Sequence, residues 1–289
     1  MGILSIQSRV IYGHVGNDAA ILPMQRQGFE VWAMPSAILS AHPGYGGAVV
    51  QPIAPAMIEG WLAALEGLGI WAQAEAALTG WLGSVGNGMA GLDAILRLKA
   101  ARPGLPYLCD PVIGDRAEGV YVAPDMIAFF RDRALPAADI ATPNHFEAET
   151  LTGRRIDSLD AALAAAGALR ALGPARVLIT SLDFGHDDCI ETLAVGPEGA
   201  WLASTPRLID PPKGPGDILS AMLLTRLLRG DTLPDALGFA VGAVFGVLRH
   251  SVEARSREPL VVDAQEEFVR PSYRPAVTAA AAGTGRTAG

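Results

Sequence analysis

The chain has 289 residues, a formal charge of −8, and a composition in which half of the residues are hydrophobic. Such length and apolar content suit one α/β domain with a large core. The acidic balance excludes the basic stripe of a nucleic-acid surface, so no nucleic-acid partner is expected. No apolar run reaches about 18 residues without a charge, Gly or Pro, so no membrane span is expected either.

The opening residues Met1-Gly2-Ile3-Leu4-Ser5-Ile6-Gln7-Ser8 lack the basic flank and apolar core of a signal peptide and read as a first strand. Apolar runs rich in β-branched residues predict strands at 2–7, 29–34, 75–80, 105–110, 137–142, 175–181, 189–195 and 200–205. Between them, helical patterns predict helices at 16–27, 53–67, 87–101, 123–133, 145–152, 159–172, 216–229 and 232–255. This alternation gives an α/β fold: a mostly parallel central sheet with helices on both faces. Right-handed crossovers then put the functional loops at the carboxyl edge of the sheet. The runs 189–195 and 200–205, separated by Gly196-Pro197-Glu198-Gly199, form a hairpin instead. Residues 271–289, with Ala279-Ala280-Ala281-Ala282 and scattered Gly, predict an unstructured tail after a single domain over 1–270. The two cysteines, Cys109 and Cys189, make no motif and point to a reduced, cytoplasmic setting.

Three glycine patterns bear on phosphate. The only lysines, Lys99 and Lys213, stand outside the Gly-x-x-x-x-Gly-Lys frame, which excludes a P-loop. Gly86-Asn87-Gly88-Met89-Ala90-Gly91 matches Gly-x-Gly-x-x-Gly, with Asp110 about twenty positions on, as in dinucleotide folds. Against an NAD site stand the abundance of Gly (33 residues), the mid-chain position, and the simpler reading of a glycine-rich helix start. In Lys213-Gly214-Pro215-Gly216-Asp217, two close glycines precede a strongly apolar helix. Backbone N–H groups and the helix dipole favour an anion there. Asp217 reads equally as a helix cap or as the base that phosphoryl transfer to a hydroxyl requires.

With these motifs in order along 3–270, the chain resembles the pyridoxal kinases of the ribokinase-like superfamily. The resemblance is carried by Leu4 to Ser8 with Tyr12-Gly13-His14-Val15-Gly16-Asn17, by Ser40-Ala41-His42-Pro43-Gly44-Tyr45, and by Leu78-Thr79-Gly80-Trp81. It continues through Cys109-Asp110-Pro111-Val112-Ile113-Gly114-Asp115, Thr142-Pro143-Asn144-His145-Phe146-Glu147-Ala148-Glu149, Ile179-Thr180-Ser181 and the 214–217 turn. The resemblance implies a three-layer fold and ATP-dependent phosphorylation of the 5′-hydroxyl of pyridoxal, a step of vitamin B6 salvage. By the same resemblance Asp217 is the catalytic base, with Gly214 and Gly216 in the anion turn, and Ser8, Pro43, Gly44 and Trp81 hold the pyridine ring. Asp110 and Glu147 are implied for Mg²⁺, Thr142 and Thr180 for phosphate or a monovalent cation such as K⁺, and Arg207 and Leu208 for the adenosine side. Each also has a plainer reading: caps or surface charges for the acids, a local backbone bond for Ser8, a core position for Trp81. Gly114-Asp115-Arg116-Ala117-Glu118-Gly119-Val120 resembles the flap over ATP, and a homodimer is implied as well.

The chain departs from the family at Pro215, where Thr or Val is common and which removes one N–H donor. Pro43 replaces a common Thr, and the flap lacks the cysteine some bacterial members carry, with Val120 near its place. Two other functions stay open: a hydroxymethylpyrimidine kinase, which more often has Cys where Asp217 stands, and a non-catalytic carrier of B6 vitamers.

Overall fold

In the first strand, β1 (Gly2–Val10), side chains alternate between two separate cores. Leu4 and Ile6 enter one and Ile3 the other, as the period of 2 in a strand requires. The same split recurs in β4 (Ala74–Thr79), with Ala77 on one side and Leu78 on the other, and in β5 (Tyr107–Cys109), with Cys109 and Leu108. Both faces of this sheet are therefore buried, which explains near-continuous apolar strands. The computed structural model of the chain describes residues 2–185 and 188–282.

Between those strands lie α1 (Asn17–Arg26), β2 (Glu30–Leu39), β3 (Val50–Pro52), α2 (Pro55–Gly67) and α3 (Val85–Ala101). A two-stranded hairpin, β6 (Gly114–Asp115) and β7 (Gly119–Val120), follows β5. The chain continues through α4 (Pro124–Phe129), a π-helical turn (Phe130–Ala134), α5 (Leu135–Ala137), β8 (Ile140–Ala141), α6 (His145–Thr152), α7 (Leu159–Leu172) and β9 (Arg176–Leu182). The last part holds β10 (Cys189–Gly196), β11 (Gly199–Pro206), α8 (Pro215–Leu228), α9 (Leu233–Glu253) and β12 (Val277–Ala279).

Ten of these strands form one sheet in the order β12-β11-β10-β9-β8-β5-β4-β1-β2-β3. The six strands from β9 to β2 run parallel, and β10, β11, β12 and β3 add antiparallel edges. Helices α2, α3, α4, α6 and α7 pack one face, and α1, α8 and α9 the other. The chain moves outward from β1 in both directions, to β2 on one side and β4 on the other. That switch point leaves a crevice at the carboxyl ends of β1 and β4, where such sheets bind ligands.

The expected alternation is present, with helices 145–152 and 159–172 found at those bounds. Asn144 and Ser158 cap their starts by accepting N–H bonds, and glycines follow their ends. Several expectations are corrected. Strand 105–110 shrinks to Tyr107–Cys109, because Pro106 and Pro111 supply no N–H at its two ends. Strand 137–142 shrinks to Ile140–Ala141, since helix continues to Ala137. Residues 86–91, by contrast, lie inside α3 as the reading of a glycine-rich helix start expects. Their glycines permit close packing: a Cβ on Gly88 would meet the Phe129 ring at 2.6 Å, and one on Gly86 would meet Pro55 at 2.7 Å. Helix α9 is long and apolar enough to cross a membrane by composition, yet 61 % of its most apolar stretch is buried against the sheet and α8, as in a core helix.

The segment from 271, expected as an unstructured tail, instead pairs Val277–Ala279 antiparallel with Trp201–Ala203, and residues 283–289 lie outside the described ones. Tyr273 packs on Phe245 with ring centroids 4.5 Å apart, and its carbonyl lies where a Cβ on Gly242 would sit. Ending the chain at residue 270 is therefore expected to lower the melting temperature by roughly 4 °C or more, a loss of about 1–2 kcal/mol. Unchanged thermal denaturation would show that β12 contributes nothing.

Candidate active site

Helix α8 brings its N-terminus to the crevice. Gly214, its N-cap, has φ +101°, a conformation that side chains resist, and a Cβ there would lie 2.6 Å from the His14 carbonyl oxygen. The turn is thus docked on the loop that joins β1 to α1. Pro215 occupies the first helical position, where its missing N–H would have had no helical partner. The substitution therefore preserves the helix and leaves Gly216 and Asp217 as the first donors to an anion.

Asp217 is half-buried, and its Oδ2 accepts the Gly16 N–H at 2.8 Å. Burial pushes its carboxyl up to about 6, against that bond. Gly16 in turn lies on Ser8: a Cβ there would approach Ser8 Oγ to 2.6 Å. Ser8, Gly16 and Asp217 therefore form one continuous wall. Trp81 extends it, packing with Val15 against Val10, Ala37 and Leu39.

Beneath the α8 N-terminus stand two buried acids. Asp110 follows β5, its Oδ2 accepts the Ser220 hydroxyl at 2.9 Å, and Thr142 Oγ1 lies 2.9 Å from Ser220 Oγ. Burial first and the Asp217 charge second push Asp110 up to about 8, against hydrogen bonds from Ser220 and Thr142. Glu147 is the third residue of α6, where it completes a capping box with Asn144. Its Oε2 accepts the Asn144 N–H at 2.8 Å, and its Oε1 accepts the N–H groups of Ile113 at 2.9 Å and Gly114 at 3.4 Å. Even so, burial and the nearby Asp110 hold its carboxyl well above the usual carboxylate range. Among the described residues no three His, Cys, Asp or Glu side chains gather to hold a metal by themselves. Two buried carboxyl groups, Glu147 raised in part by Asp110, suit a hard ion that brings its own water or phosphate oxygens.

The expected flap is the β6–β7 hairpin, and it is tethered. Lys213, just before the anion turn, reaches Asp115 Oδ2 at 2.7 Å and Glu118 Oε1 at 3.1 Å. Asp115 Oδ1 meanwhile accepts the N–H groups of Ala117 and Glu118, each at 2.8 Å. A cavity of about 500 Å³ opens beside this latch, lined by Lys213, Glu118, Ile209, His42, Tyr45 and Glu258 among others.

Of the predicted site residues, Ser8, Trp81, Asp110, Thr142, Glu147, Gly214, Gly216 and Asp217 converge at this edge of the sheet. A Cβ on Gly216 would lie 3.8 Å from Asp110 Oδ2, which fixes how close the turn comes to the acids. Pro43 and Gly44 form a short helical turn, Pro43–Tyr45, whose Gly44 lines the cavity. Thr180 ends up in β9 with its N–H on the Pro143 carbonyl, next to the acids' loop. Arg207 and Leu208 do not line the cavity. Arg207 pairs with Asp183 at 3.1 Å and donates to the Cys189 carbonyl, and the next residues, Ile209 to Lys213, line the cavity. Sequence reasoning missed Ser220, although its i,i+3 spacing from Asp217 put both on one helical face. It also missed Lys213 as a latch and Glu258, more than 240 positions from the loop it touches.

The comparisons with known proteins agree with one another. Residues 51–260 match the family model described as phosphomethylpyrimidine kinase. The pyridoxal kinase PdxY of Deinococcus radiodurans is 44% identical over 279 residues, covering 94% of each chain. That of Rubrobacter xylanophilus is 43% identical, covering 95% of this chain and 96% of the relative. A solved pyridoxal kinase from Leishmania donovani, in complex with ADP and pyridoxamine, superposes with a TM-score of 0.91 at 26% identity over 96% of this chain and 98% of its own.

Replacing Lys213 with Met removes the latch without touching the acids. Amide exchange at Ala117 and Glu118 is expected to quicken by roughly two- to fivefold, the range of an exposed ion pair. Unaltered exchange there would mean that the hairpin holds its place without Lys213.

Proposed function

The chain belongs to the pyridoxal kinase family, and from that premise we propose how it phosphorylates the 5′-hydroxyl of pyridoxal with ATP. The observation that carries the reading is Asp217, a carboxylate with a raised pKa of about 6 in the first turn of an anion-binding helix. At neutral pH such a group is ionised but basic enough to accept a proton.

In the proposed reaction the 5′-oxygen attacks the γ-phosphorus as Asp217 takes the hydroxyl proton. The new O–P bond forms, the bond from the γ-phosphorus to the bridging oxygen breaks, and ADP leaves with that electron pair. The N–H groups of Gly216 and Asp217 and the α8 dipole face the negative charge of the transferring group. Ser8 and Trp81 line the acceptor side, with the turn carrying Pro43 and Gly44 over it. Asp110 and Glu147 would hold Mg²⁺, which would neutralise phosphate charge when bound. Thr142 and Thr180 are proposed for phosphate or a K⁺ ion nearby. The latched hairpin is proposed to close over ATP and exclude water.

A homodimer is proposed as well, supported by exposed apolar residues along the β2–β3 edge: Ile38, Val49 and Val50. A reduced, cytoplasmic setting is supported by two unpaired cysteines, Cys109 and Cys189. The phosphomethylpyrimidine-kinase model match favours one second substrate, a hydroxymethylpyrimidine. Under the leading reading, kcat/KM for pyridoxal exceeds that for hydroxymethylpyrimidine; a reversed ratio would transfer the assignment.

Asp217→Asn is expected to lower kcat by about 10²–10⁴-fold, the worth of a general base, with little change in either KM. In the wild type, kcat/KM should fall as the pH drops through about 6, because the base of the free enzyme is then protonated. Turnover by the variant at the wild-type rate would remove Asp217 from the mechanism; ligand binding without any product in the wild type would leave a carrier.

A further inference from the structure

Glu258 follows α9, far in sequence from every group discussed above, yet its carboxylate is buried at the wall of the 500 Å³ cavity. It holds two loops at once. Its Oε2 accepts the His14 N–H at 2.8 Å. The Tyr45 phenol faces the same cavity beside it, and burial first and then Glu258 push that phenol up to about 12. The fit is close: Gly13 has φ +96°, and a Cβ there would lie 2.4–2.7 Å from the three carboxyl atoms. Its neighbour Arg257 stacks over the Tyr45 ring at 4.2 Å, and Tyr12 meets that ring edge-on at 5.8 Å.

The loop that Glu258 grips is the one docked on the anion turn. His14 donates its N–H to Glu258 while its carbonyl abuts Gly214, and two residues later Gly16 donates to Asp217. Tyr45, on the other side, belongs to the turn containing Pro43 and Gly44. One buried carboxylate therefore links that turn, through the 13–16 loop, to Asp217. Bonds to an ionised acceptor are the stronger kind, and a shielded carboxylate keeps that strength.

We propose that Glu258 is a positioning residue for the acceptor alcohol: it clasps the Pro43–Tyr45 turn to the 13–16 loop, fixing the acceptor's side of the site relative to Asp217. Glu258 touches no reacting atom in this scheme and acts through His14 and Tyr45. The inference rests on the phosphotransfer reading for what the acceptor is, while the clasp itself is a matter of loop mechanics.

The test compares Glu258→Ala, Glu258→Gln and Tyr45→Phe with the wild type by steady-state kinetics and by amide exchange at 13–16 and 44–46. For Glu258→Ala the KM for pyridoxal should rise roughly tenfold or more, with the KM for ATP within about twofold, because the bond to His14 and the contact with Tyr45 are lost on the acceptor side alone. Exchange in both segments should quicken together. Glu258→Gln, whose amide oxygen still accepts, should recover most of the affinity for pyridoxal. Tyr45→Phe should loosen 44–46 only, with a smaller rise in the same KM. An equal rise in both KM values, or unchanged exchange at 44–46, would overturn the proposal. Should Glu258→Ala fail to fold, Tyr45→Phe decides by the same two readings. If the wild type makes no pyridoxal phosphate, the proposed function fails, and the exchange comparison still decides the clasp.

Discussion

Three carboxylates share one end of this sheet, and their mutual repulsion in a poorly solvated place is the constraint around which the site is arranged. Asp110 and Glu147 are buried, and Asp217 stands half-buried above them. Burial penalises the charged form of each, and Asp110 is further penalised by Asp217, as Glu147 is by Asp110. A fold selected for stability alone would not gather them. What offsets the cost is local: hydroxyls for Asp110, three backbone N–H groups for Glu147, and one for Asp217. The proposed Mg²⁺ and the phosphates of ATP would complete the set, a cation for the acids and an anion for the helix terminus.

The scaffold makes this arrangement reproducible. A parallel sheet ends all its central strands on one edge, so the residues after β1, β4, β5 and β8 meet there without long loops. Helix α8, anchored by its apolar face against α1 and α9, points its positive end at the same place. Lys213 sits one residue before that end and spends its charge on the flap hairpin. The latch therefore joins the part proposed to cover ATP to the part proposed to hold its phosphates. Glu258 makes the corresponding joint on the acceptor side.

Much of this was legible in the sequence because its signals were local. Helical patterns gave 145–152 and 159–172 to the residue, where Asn144 and Ser158 cap the chain, and the apolar alternation separated strands from helices. The Gly-x-Gly-Asp turn and the strand-end acids were likewise readable as chemistry. The glycines at 86–91 read as a helix start, but their steric role depends on Phe129 and Pro55, which no local pattern reveals. Strands β3 and β12 escaped for a different reason. They are three residues long at sheet edges, largely exposed, and carry no apolar periodicity. Arg207 and Leu208 carry no pattern that separates them from the neighbouring cavity wall, Ile209 to Lys213. Glu258 had no signal at all, because its meaning lies in a contact with His14 across nearly the whole chain.

The ligand-free site holds its acids against their own repulsion, and stability should therefore depend on pH. Asp110 has its carboxyl raised from an ordinary 3.8 to about 8 in the folded protein, so the folded state binds more protons between those values. Its stabilising contribution is present in full below about 4 and is lost as the pH rises through about 8. Asn at that position cannot ionise. The most direct measurement is the free energy of unfolding of the ligand-free wild type and Asp110→Asn, by chemical denaturation from pH 5 to pH 8.5. The account predicts that the variant gains on the wild type as the pH rises, by about 1–3 kcal/mol at the upper end. Parallel curves across that range would contradict it.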